Sequence, residues 1–172
     1  MPIAGIPQPE LLQVSDTLRL RRFDDHYAFA AAWYQDPELV YLVDGVRRPY
    51  TRETLDNMYH YLDKHGELYF IEALEDGAFR PIGDVTFSPE DLPIVIGEPA
   101  YRGRGVGRQV LEALIGRGRE LGLPELRVRE IYTYNLPSRK CFAAVGFREW
   151  ERTEKGVSMR LDLHTEIRKM RT

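Results

Sequence analysis

The residues best suited to chemistry lie in one short run, Tyr101-Arg102-Gly103-Arg104-Gly105-Val106-Gly107-Arg108. Glycines at alternate positions let the backbone turn tightly and bring N–H groups against a ligand with no side chain in the way. Val106, Val110, Leu111, Leu114 and Ile115 recur at helical spacing, so the run opens a helix. The first amides and positive dipole end of such a helix favour phosphate. Arg102, Arg104 and Arg108 add positive charge at the same place, and a diphosphate fits the combination. No Gly-Lys-Ser/Thr closes the loop, and G-x-G-x-G stands where a dinucleotide fingerprint needs G-x-G-x-x-G, so neither common phosphate loop matches. A turn with solvated arginines is the plain alternative.

Other reactive types are sparse. The one cysteine, Cys141, has no histidine at a motif spacing to activate it and reads as a core thiol. His60 and His65 are five apart, not the three or four that align ligands on a helix face, so no metal is expected.

The elements that must position the loop follow from periodicity and punctuation. Thr17–Arg21 alternates as a first strand. Asp24-Asp25 can cap a helix to about Trp33 or Tyr34, stopped by Asp36-Pro37. Thr51 caps a second helix carrying Leu55, Met58, Tyr59 and Leu62, which ends at Gly66. Strands are expected at Leu68–Leu74 and Ile82–Phe87, joined by an Asp76-Gly77 turn, and at Ile94–Ile96. After the loop and its helix come a strand over Leu126–Tyr132, a helix over Pro137–Val145 and a last strand around Val157–Leu163. The order β-α-α-β-β-β-α-β-α-β-β predicts one α/β domain over residues 1–172. Its sheet is mixed and mostly antiparallel, with about seven strands and about four helices. Residues 1–14 read as a loose lead-in and 164–172 as a tail.

Composition narrows the classes. At 172 residues the chain suits one core. A net charge of −3 argues against nucleic-acid binding. No apolar run approaches the roughly 20 residues of a membrane span, and the N-terminus lacks a signal-peptide pattern. A single cysteine fits a reducing compartment, so a cytoplasmic location is expected.

The loop acquires a sharper meaning beside a second run. Arg102-Gly103-Arg104-Gly105-Val106-Gly107 resembles the Arg/Gln-x-x-Gly-x-Gly/Ala signature of the GCN5-related N-acetyltransferases (GNAT). Asn135-Leu136-Pro137-Ser138-Arg139-Lys140-Cys141-Phe142-Ala143-Ala144-Val145-Gly146-Phe147 resembles that family's second signature, in which an asparagine starts a helix ending in Gly-Phe. Order and spacing of the two also match.

The resemblance implies a sheet whose central strands splay and a site for acetyl-CoA, with Arg102, Gly103, Arg104, Gly105, Val106 and Gly107 on its pyrophosphate. Ile94, Val95 and Ile96 would pair with the pantetheine arm, and an N–H near Ile96 or Gly97 would face the thioester carbonyl. Asn135, Ser138 and Arg139 would complete the cofactor site. The implied reaction is direct attack, in a ternary complex, by a primary amine of a small molecule or a protein α-amine. Glu130, five residues before Asn135, matches the spacing of a glutamate in the family's N-terminal acetyltransferases. Glu98 and Asp84 are the other candidate bases. Phe142 stands where many members carry the tyrosine that protonates the leaving thiolate, so Tyr134, Tyr132, Cys141 or water is left for that task. A non-catalytic acyl-CoA-binding or sensor domain and an unrelated nucleotide-binding module are the rival readings. The aromatic-rich stretch over residues 24–65 would wall the acceptor pocket, with Asp36, Glu38 and Asp44 able to attract a cation. A homodimer is compatible with the sequence.

Overall fold

The computed structural model describes residues 1–164, so of the expected tail only His164 falls inside it. The chain begins with a hairpin of β1 (Leu11–Gln13) and β2 (Leu18–Arg22), with Leu12 opposite Leu20. This corrects the expectation of a loose lead-in over 1–14. Three residues are too few to show an alternation, and Leu12 is held by packing against the core.

The first helix is also displaced. Residues after Asp24 make two short 3-10 turns, Ala28–Ala31 and Trp33–Gln35, and helix α1 (Pro37–Asp44) starts where the sequence suggested a stop. Proline suits a first helical position because it has no amide to leave unpaired there. The Asp36 side chain caps the turn by accepting from Glu38 N–H at 3.0 Å. Helix α2 (Arg52–His65) runs between the expected signals, with Thr51 Oγ1 accepting from Thr54 N–H at 3.1 Å and Gly66 following its last turn.

Strands β3 (Glu67–Glu75) and β4 (Ala78–Phe87) form a hairpin across Asp76 and Gly77, both at positive φ. Then come β5 (Ile94–Ile96), α3 (Val106–Glu120), β6 (Glu125–Tyr132), α4 (Leu136–Ala144), β7 (Arg148–Arg152) and β8 (Gly156–Asp162). The strands exceed the expected seven by β1. They pair in two sheets, β1-β2-β3-β4-β5 and β6-β8-β7, all antiparallel.

Strand β3 shows why helices lie on both faces. Leu68 and Phe70 pack with Trp33, Tyr34, Leu55 and Tyr59, whereas Tyr69 and Ile71 pack with Val110, Leu111 and Leu114 of α3. That is the two-residue alternation of a strand buried on both sides. Each such side chain contributes about 1.5–3 kcal/mol through removal from water. The Arg117 guanidinium of α3 adds a 2.6 Å ion pair to Glu67, whose carboxylate is fully buried and also accepts from Tyr69 OH.

At the seam between the sheets, Arg127 N–H donates to Pro89 O at 2.9 Å and Arg129 N–H to the Asp91 carboxylate at 3.1 Å. Beyond these bonds β5 and β6 belong to separate sheets, which is the splay expected. On the other side of β5, Gly83 of β4 is a fixed contact: a Cβ there would lie 2.2 Å from Val95 O. Gly83→Ala is therefore expected to destabilise the fold by about 1–3 kcal/mol in urea unfolding, through overpacking. Gly116→Ala in α3, where nothing lies within 4 Å, should instead gain roughly 0.5–1 kcal/mol.

Candidate active site

Gly103 and Gly105 have φ of 70° and 77°, left-handed values that other residues adopt at a cost. Gly105 is the N-cap of α3 and has no side chain to cap it, so the first amides of α3 are left for another acceptor. Val106, Gly107 and Arg108 of that turn, with Arg102, Gly103 and Gly105, line a cleft of about 650 Å³.

The cleft's second wall is β5. Gly97 N–H bonds to Ile82 O at 2.8 Å, and Thr86 N–H to Pro93 O at 3.0 Å. Hydrogen-bonded and non-bonded residues alternate along an antiparallel pair. Val95, opposite Asp84, therefore spends its peptide groups on β4, and Ile94 and Ile96 turn theirs outward. All three residues line the cleft. Of the two N–H groups expected near a thioester, that of Gly97 is thus already engaged, which leaves Ile96.

Helices α1 and α4 complete the enclosure. Leu39, Leu42 and Val43 of α1 face Asn135, Pro137, Ser138, Lys140 and Cys141. Asn135 Oδ1 caps α4 by accepting from Ser138 N–H, while its Nδ2 donates to Leu42 O, both at 3.2 Å. One side chain thus starts α4 and ties it to α1. Two expected ligands lie apart: Arg104 donates to Ala100 O at 3.3 Å on its own loop, and Arg139 pairs with Glu149 at 2.5 Å. Neither is among the lining residues. The α1 wall and Lys140 escape the sequence reading, the former because the expected helix ends before α1 begins. Cys141, read as core, packs on the core and also lines the cleft. Burial holds its thiol above the ordinary value.

The candidate catalytic groups are scattered. Glu130 is exposed on β6, in the register shift between Val128 and Ile131, and is not a lining residue. Glu98 accepts from Trp33 Nε1–H at 2.8 Å, and the Trp33 ring covers Gly97 so closely that a Cβ there would lie 2.2 Å from it. Tyr134 donates to Tyr41 O at 3.1 Å and stacks on Tyr41 and Tyr132. Burial, then the neighbouring Tyr41 and Tyr132, raises its pKa, which makes it a weaker acid. Phe142 is buried edge-on against Phe147 and brings no donor.

Asp84 does not line the cleft either, but it differs from these in its burial and its partners. It is 2% exposed, and its Oδ2 accepts from both Tyr34 OH and Tyr59 OH at 2.8 Å. Burial pushes its pKa up to about 6, against the two hydroxyls, which favour the charged form. The tyrosines come from the 3-10 turn and α2, residues that sequence reasoning set aside as packing. His, Cys, Asp and Glu form no metal-binding group among the described residues, and no described helix is long and apolar enough to cross a membrane.

The raised pKa has a sign that can be checked. Between the unfolded value of 3.8 and about 6 the native state binds the extra proton, so this group's contribution to stability falls as pH rises through that window. Asp84→Asn, which keeps an acceptor for both hydroxyls, should be more stable than the parent at pH 8, by on the order of 2–3 kcal/mol. The gain should vanish near pH 4, as read by denaturant unfolding at both pH values.

The sequence has no significant match among curated proteins. Solved structures similar in fold include aminoglycoside acetyltransferase AAC(6')-Ib in complex with coenzyme A, at 16% identity and TM-score 0.69, covering 91% of this chain and 100% of that one. Spermidine N-acetyltransferase from Vibrio cholerae, with coenzyme A and spermine, matches at 16% identity and TM-score 0.70, covering 89% and 99%. RimL, a ribosomal-protein α-N-acetyltransferase with coenzyme A, matches at 14% identity and TM-score 0.68, covering 89% and 98%. At such identities the likeness speaks for the fold. The family profile "Acetyltransferase (GNAT) domain" matches residues 17–148, most of the chain and both glycine-bearing motifs, and the protein therefore belongs to the GNAT acetyltransferase family.

Proposed function

We propose that the protein transfers an acetyl group from acetyl-CoA to a primary amine of a small molecule or a protein α-amine, in one ternary complex. The observation that carries this reading is the cleft itself. An uncapped helix start, two left-handed glycines and the outward peptide groups of Ile94 and Ile96 converge there. Bound in it, acetyl-CoA supplies an activated acyl carbonyl. The amides of Val106 and Gly107 and the side chains of Arg102, Arg108 and Lys140 suit its phosphates. Ile96 N–H is the preorganised donor for charge building on the acyl oxygen. The cofactor role extends to Asn135 and Ser138 at the start of α4.

Among the carboxylates we assign the general base to Asp84. It sits opposite Val95, one strand in from the cleft wall, and with a pKa of about 6 it is mostly ionised at neutral pH. A base close to the working pH combines the right protonation state with useful basicity. The amine's proton passes by way of water to this carboxylate, which lies behind the lining of the cleft. The amine nitrogen bonds to the acyl carbon, the carbon–sulfur bond breaks, and the thiolate takes a proton from solvent. Tyr34 and Tyr59 hold Asp84 in place. We place the reaction in the cytoplasm.

A binding-only domain is the second reading, favoured by buried Phe142 where a thiolate acid would stand. Titration calorimetry and a thiol-release screen over small amines and peptide N-termini separate the two. The protein is expected to bind acetyl-CoA at micromolar concentration, and Gly105→Glu to abolish binding. Asp84→Asn should bind it normally but lose turnover by about 100-fold or more, the scale of a lost general base. Tight binding with no turnover across the screen would support the second reading.

A further inference from the structure

Arg102 does not behave like the other basic residues at the cleft. Arg108 pairs with Glu112 on its own helix at 3.2 Å, and Arg104 stays on its own loop. Arg102 reaches across. Its Nε donates to Ile96 O at 2.9 Å, one Nη donates to Gly97 O at 3.2 Å, and the other lies 3.7 Å from the Asp36 carboxylate. The alternation along β5 makes Ile96 O an outward acceptor, one that an amide laid along the strand would use. Asp36 caps α1, whose Leu39, Leu42 and Val43 form the facing wall. One guanidinium thus joins the glycine loop, the edge of β5 and the start of α1.

We propose that Arg102 is a latch, which ties the edge of β5 to the start of α1 and is released by a diphosphate at the glycine loop. The proposal rests on the reading of the cleft as a coenzyme A site. A diphosphate offers a guanidinium more negative charge than Asp36 does, with paired oxygens matched to its fork. Moving to it, Arg102 gives up Ile96 O to the ligand's amide arm and frees Asp36 on α1. A ligand that carries the amide arm without phosphate must displace the same contacts and gets nothing back from Arg102. The latch therefore selects for the phosphorylated form of its ligand and links cofactor entry to the helix on the acceptor side.

Titration calorimetry with coenzyme A and with pantetheine, which lacks every phosphate, tests this on the parent chain, Arg102→Met and Asp36→Asn. The two ligands should respond in opposite directions to Arg102→Met. Coenzyme A should bind about tenfold or more weakly, the scale of one lost charge-assisted contact. Pantetheine should bind several-fold more tightly, because β5 is already free. Asp36→Asn keeps the helix cap and weakens only the latch, so both ligands should bind more tightly. Pantetheine binding unchanged or weakened in Arg102→Met would make Arg102 a plain phosphate ligand or a structural residue and would overturn the latch. Failure of Asp36→Asn to tighten either ligand would overturn it as well. If the parent binds neither ligand, the coenzyme A reading falls, and the latch with it.

Discussion

Everything at the site depends on β5 having a sheet partner on one side only. Its pairing with β4 uses the peptide groups of Val95, and the parting from β6 leaves those of Ile94 and Ile96 turned to an opening. A buried peptide group without a partner is costly. Here Ile96 O accepts from Arg102, and the rest of the strand edge meets the uncapped start of α3 beside the loop of positive-φ glycines. The same split makes the cavity and supplies the hydrogen-bonding groups inside it. The bonds from Arg127 and Arg129 to the β4–β5 connection hold the two sheets together where they touch and so fix where the parting begins.

The second constraint lies on the opposite face of β5. Asp84 is buried at a register position next to the wall, and its two hydroxyl partners are carried by the 3-10 turn before α1 and by α2. An ionised carboxylate in such a place opposes folding, and the tyrosines offset part of that cost. The arrangement suits a group kept for its basicity, because an asparagine would meet the same hydroxyls without the charge. Tyr34 also stacks on Tyr50, whose hydroxyl donates to Asp44 at 2.6 Å. The environment of Asp84 therefore reaches the loop after α1.

Much of the fold was legible because its signals were local. Thr51 and Gly66 bound α2, Asp76-Gly77 makes the hairpin, and the apolar positions of α3 sit at helical spacing. The misses were places where tertiary packing decided. Strand β1 has too few residues to show a period, and Pro37 starts a helix as readily as it stops one. The glycine loop and the Asn135 motif were visible as spacing. The α1 wall, the burial of Asp84 and the engagement of Gly97 N–H depend on residues distant in sequence, so no pattern along the chain could expose them. Glu130 stood at a suggestive spacing from Asn135, yet the structure puts it on the exposed face of β6.

The split strand as a cofactor edge is tested most directly by amide hydrogen exchange, followed residue by residue in the NMR spectrum with and without acetyl-CoA. The account predicts that the amide of Ile96 exchanges readily in the free protein and gains protection on binding, along with Val106 and Gly107. Val95 and Gly97, whose amides already face β4, should change little. Saturating acetyl-CoA that leaves Ile96, Val106 and Gly107 unprotected, or that protects residues away from this edge instead, would contradict it.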